Sequence, residues 1–170
     1  MGEVTLVVDH LKFRYEGLFN AAEIFNVISS FFFEKGYDWF EDMNEELITP
    51  EGKQLRMVLA PSKSTSDFYK IKAKIKVIMT NVKDVEVEHD GKTLRLNQGV
   101  VKMIIDGFVQ SDRSGAWTKS PFYWFLTILG QKYFFKNHFQ KMETWIISDL
   151  DDMHQQLKTY MNTFKYTYQT

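Results

Sequence analysis

The residues of this chain best placed to do chemistry are four lysines, Lys70, Lys72, Lys74 and Lys76, alternating with Tyr69, Ile71, Ala73, Ile75 and Val77 in "FYKIKAKIKVIM". Successive side chains of a strand point to opposite faces, so the alternation puts four ammonium groups on one face and apolar groups on the other. At strand rise the row is about 20 Å long. It suits a surface for phosphates of RNA or of lipid headgroups, where each cation neutralises a phosphate and releases counterions. A plainer role is a solvated face balanced by cross-strand pairs with Glu86 and Glu88 on the following strand, each pair contributing a few tenths of a kcal/mol. The same pattern would protect an edge strand from aggregation.

Other reactive residue types lack a chemical pattern. His10, His89, His138 and His154 are scattered with no His-x-x-x-His pair, so no metal site is expected. His154 follows Asp151 by three residues, a spacing that suits a local ion pair on a helix face. There is no Gly-x-Ser-x-Gly, phosphate-binding glycine loop or dinucleotide fingerprint, and "FEDMNEE" (40–46) reads as a solvated turn near a strand start. No catalytic residue and no cofactor is expected. With no cysteine, thiol catalysis, disulfides and cysteine-held metals are excluded, and a reducing, cytoplasmic setting fits.

Composition narrows the partners. The 170 residues suit one domain, 1–170, and 21 Lys plus Arg against 22 Asp plus Glu give a net charge of −1, so nucleic acid is expected to bind only through a local basic strand. Residues 1–10 carry no basic segment followed by an apolar one, so no secretory signal is expected. Phe122 to Leu129 is about half the ~20 apolar residues of a membrane span, so no transmembrane segment is expected. Aromatic residues reach 16%, more than packing alone usually requires.

These residues must be positioned by strands and helices. Leu11, Phe13 and Tyr15 alternate with Lys12 and Arg14 in a first strand over 5–17. Asn20 with Glu23 three residues on predicts an N-cap, and Ile24, Val27, Ile28, Phe31 and Phe32 predict a helix over 21–35 closed by Lys35-Gly36. From 37 to 110, "TPEG" (49–52), "SKSTSD" (62–67), "TNVKD" (80–84), "HDGK" (89–92) and "NQG" (97–99) delimit about five strands of an antiparallel meander, with Asp90-Gly91 suiting a tight hairpin. C-terminal helices are expected over 120–165. Phe135, Phe139, Met142, Ile146, Leu150, Met153, Leu157, Tyr160 and Phe164 form one helical stripe, and Ser148 with Asp151 could divide it in two.

The fold class is therefore α+β, a curved antiparallel sheet of about six strands packed on a long C-terminal helix. This element order resembles the helix-grip fold of the START lipid-transfer and pollen-allergen-like superfamily, in which a curved sheet wraps a C-terminal helix and encloses a cavity. The resemblance implies a non-catalytic binding protein holding an apolar small molecule or lipid between sheet and helix, although helix-grip relatives also include cyclases and hydrolases. The inward face would offer Ile71, Ile75, Val87, Leu96, Met103 and Ile105, and the helix Phe139, Met142 and Ile146. Ile104 and Phe108 would point outward beside Lys102 and Asp106, a face that calls for a covering helix or partner.

The alternative is a dimerising interaction module that docks on a larger assembly, for example a ribonucleoprotein, through the lysine strand and an aromatic helix. "SPFYWFLTILGQKYFFKNHF" (120–139) starts with a Ser-Pro helix signal. Phe122, Phe125, Leu126, Leu129 and Tyr133 form one stripe of that helix and Trp124, Ile128 and Phe135 a second. The second stripe suits packing inside the monomer, a homodimer or protein interface, or an interfacial membrane contact helped by Lys132 and Lys136.

Overall fold

The computed structural model describes residues 4–66, 68–111 and 135–168. A first strand, β1 (Val4–Phe19), leads into α1 (Ala21–Glu34), then β2 (Glu41–Thr49), β3 (Gly52–Leu59), the short β4 (Ser62–Ser64), β5 (Tyr69–His89), β6 (Lys92–Ser111) and a C-terminal helix, α2 (Phe135–Tyr168). All pairings are antiparallel, in the order β1-β6-β5-β3-β2 with β4 alongside β5. The architecture is α+β, a six-stranded sheet with a C-terminal helix, and β1 pairing with the last strand is compatible with the helix-grip arrangement. No helix among the described residues is long and apolar enough to cross a membrane.

Local signals act where expected at the first helix and the hairpin. The Asn20 side chain accepts a hydrogen bond from the Glu23 N–H at 3.4 Å, and the N–H groups of Lys35, Gly36 and Tyr37 close the far end on the carbonyls of Phe31, Phe33 and Phe32. Asp90 and Gly91 both have positive φ, 52° and 74°, as a primed two-residue turn requires.

Two other polar clusters are not turns. "TNVKD" and "NQG" lie within β5 and β6, which run 21 and 20 residues. Asn81 sits at φ 54° where the β5–β6 register shifts between Thr80 and Lys83, and opposite it a side chain at Gly99 would fall 2.8 Å from the Thr80 carbonyl oxygen. The residues that resemble a chain reversal instead make a bulge, which bends the long hairpin without breaking it. Beyond it Val85, Val87 and Leu94 are only half-buried.

The helix stripe lies on the concave side of the sheet. Met142, Ile146, Leu150, Met153, Leu157 and Phe164 are buried, and all but Phe164 join one core with Ile71, Ile75, Val77, Met79, Met103 and Ile105 of the sheet and Ile24, Ile28, Phe31 and Phe32 of α1. At the expected break, Leu150 and Met153 are completely buried, so α2 runs through as one helix: interrupting it would return both to water. Gly107 gives the helix side chains room against β6. A Cβ there would lie 2.8 Å from Leu150 Cδ1 and 3.2 Å from Ile146 Cγ1.

One polar knot locks α1 to α2. Buried Asp149 accepts from the Tyr37 hydroxyl at 2.7 Å, and Lys35 Nζ lies 3.9 Å from its other oxygen. Burial, with the hydrogen bond to Asp149 and its charge, raises the Tyr37 phenol far above its ordinary value near 10.

Replacing Gly107 with Val should destabilise the protein by about 1–3 kcal/mol through overpacking against Leu150 and Ile146, read as a lower urea midpoint at unchanged slope. Tyr37 bears on pH. Because its folded pKa is raised, its contribution is complete below about pH 10 and falls as pH rises beyond that toward the folded value. Tyr37→Phe should lower stability by about 1–3 kcal/mol at neutral pH and make the alkaline loss shallower; an unaltered alkaline limb in urea titrations would count against this linkage.

Candidate functional site: the outer face of the sheet

The lysines stand where alternation puts them, on the convex face of β5 away from α2, with Ile71, Ala73, Ile75 and Val77 buried behind them. Their neighbours differ from those expected. Because β5 continues to His89, Glu86 and Glu88 lie farther along the same strand and cannot pair with the ladder across strands. Across β6, Lys70 faces Gln110, Lys72 faces Phe108, Lys74 faces Asp106 and Lys76 faces Ile104. Lys70 and Lys72 are flanked on their other side by Ser64 and Ser62 of β4, and Lys76 by Val58 of β3. Among the described residues no salt bridge involves any of the four lysines.

Register adds further cations. Arg14 on β1 is opposite Lys102 on β6, Lys102 is opposite Ile78 on β5, and Ile78 is opposite Arg56 on β3. One row above, Lys12, Ile104, Lys76 and Val58 align in the same way. Rows are joined at the strand spacing of about 4.8 Å, so Lys12, Arg14, Lys102 and Arg56 extend the ladder into a basic face four strands wide. Like charges directly opposite, as Arg14 and Lys102 are, oppose folding. Three carboxylates border this face: Glu16 holds Arg14 at 3.2 Å, Asp106, opposite Lys74, accepts from the His10 N–H at 2.7 Å, and Glu45 of β2 stands opposite Arg56.

That second contact closes an irregularity in β1. His10, at φ 53°, sits where the β1–β6 register shifts, and its Nδ1 contacts both Asp9 and Asp106. The Asp9, His10 and Asp106 ligand atoms lie within 4.8 Å of one another, the one group among the described residues able to hold a metal ion. Sequence spacing did not bring it forward because Asp106 is on another strand. Its contacts account for it as the cap of the bulge. His154 does not pair with Asp151; its ring meets Phe13 edge-on at 5.7 Å.

The residues expected to line an apolar cavity divide into two groups. Ile71, Ile75, Met103, Ile105, Met142 and Ile146 are brought together in the buried core, with Phe139 half-buried against it. Leu96, though buried, and half-buried Val87 lie beyond the bulge, outside that cluster. A recess of about 350 Å³ opens elsewhere on the concave side, between the start of α1 and β2–β3, lined by Phe25, Leu55, Met57 and Met79 with Asn26, Asn44 and Glu46 at its polar edge. Trp124 and Ile128, expected at a partner interface, lie outside the described residues; Phe135 begins α2, its side chain outside the description. No family model matches the chain, and neither a curated protein nor a solved structure does.

Proposed function

We propose that this protein is a docking module whose convex sheet face holds the phosphate backbone of a nucleic acid. The observation that carries this is the Lys70–Lys76 column, free of ion pairs among the described residues and widened by Lys12, Arg14, Lys102 and Arg56. A solvated face balanced by its own carboxylates would have neighbouring strands supply acids opposite the lysines. Among the described residues Asp106, opposite Lys74, is the one acid in that position, and its carboxylate also accepts from the His10 N–H. A row of cations along a strand suits a linear polymer of charge. With overall charge near zero, binding would depend on this patch and fall steeply with salt.

One observation favours a second reading, an apolar small ligand. The recess under α1 is of the size of small-molecule sites and mixes apolar walls with a few polar groups. Such a ligand would sit on β2–β3 rather than in the seam between α2 and β6, where Gly107 meets Leu150 and Ile146. Native mass spectrometry of gently extracted protein should then show a retained mass that Met57→Trp removes; a bare wild-type mass would dismiss it.

For the basic face, a labelled 20-nucleotide RNA should bind with log affinity falling linearly against log salt. The pair Lys72→Glu and Lys74→Glu should weaken it at least tenfold and reduce the slope by about one for each phosphate no longer neutralised, with unchanged circular dichroism. Equal binding and slope in the double variant would remove the proposal.

A further inference from the structure

The outer face also presents apolar side chains between its cations. Phe108 stands in the centre of one row, with Lys72 on one side and Leu6 of β1 on the other, and Ile104 stands two rows away beside Lys76. Leu6 is 46% exposed and Phe108 half-buried, and among the described residues Phe108 stacks on no other ring. In the row beyond, Gln110 faces Lys70; its Oε1 is buried and has no hydrogen-bond partner among the described residues.

We infer that the nucleic acid held by this face is single-stranded, its backbone along the β5 lysines and a base stacked on Phe108. This rests on the phosphate-docking reading and deepens it. The physical basis is the adjacency of two columns. The cations of β5 and, on β6, Phe108 and Ile104 to either side of Asp106 are one strand spacing apart, about 4.8 Å, so a chain whose phosphates follow β5 can lay a base over Phe108. A duplex turns its bases inward and leaves Phe108 nothing to stack on, whereas unstacked bases offer a π-face to an aromatic ring. An anionic bilayer is the poorer fit. Phe108 and Ile104 are half-buried rather than protruding, and a curved four-strand face meets a plane along one line only.

The test compares four probes on the full chain at fixed salt: a 12-nucleotide single-stranded RNA, the corresponding duplex, heparin, and vesicles of phosphatidylserine and phosphatidylcholine. The single strand should bind at least tenfold tighter than the duplex. Phe108→Ala should weaken single-strand binding about tenfold while leaving heparin unchanged, and Phe108→Trp should restore it. The Trp variant, judged by circular dichroism beside the wild type, separates loss of stacking from loss of fold. Equal affinity for single strand and duplex, with no effect of Phe108→Ala, would overturn the stacking inference and leave phosphate docking standing. No binding of RNA, duplex or heparin would overturn both. Binding to vesicles alone would replace them with a membrane surface.

Discussion

The structure depends on one contact, the apolar stripe of α2 laid along the concave face of β1, β6 and β5. The stripe from Met142 to Phe164 buries one face of a 34-residue helix, and the strands beneath bury Ile71, Ile75, Val77, Met103 and Ile105 against it. At a typical 1.5–3 kcal/mol for each fully buried large apolar side chain, this seam outweighs any other single term in the fold. Gly107 lets the two surfaces approach closely, and the bulges at His10 and Asn81 curve the sheet around the helix. The knot of Tyr37, Lys35 and Asp149 is smaller in energy but directional, and it brings α1 into register with α2.

That seam also decides where chemistry can occur. Inward-pointing residues of the central strands are committed to packing, so polar groups on the same strands must face outward. Alternation along β5 therefore produces a buried apolar row and a basic row together from one segment. Neighbouring strands obey the same parity, so Lys12, Arg14, Lys102 and Arg56 reach the same surface, although they are far apart in sequence. The Arg14–Lys102 pair opposes folding slightly, and stability elsewhere has to carry it.

Several elements were legible because their causes are local. The N-cap at Asn20, the Asp90-Gly91 turn, the α2 stripe and the facing of the lysines each follow from spacing within a short segment. Misreadings arose where a local signal has two tertiary outcomes. Asn and Gly permit a turn, but they equally permit a bulge inside a long strand, and "TNVKD" and "NQG" became the latter. From that one difference, Glu86 and Glu88 moved out of reach of the ladder. Ser148 and Asp151 likewise carry a cap signal that the burial of Leu150 and Met153 overrides.

By itself the sequence determined the alternation of Lys70 to Lys76, the helical stripe and the order of elements, because side-chain direction follows from backbone period alone. Only the tertiary structure decided what stands opposite each lysine, that Asp106 is engaged by His10, and that Phe108 lies in the same face. Those facts depend on register, and register between strands is set by bulges and by the packing of the other face, which no short segment contains.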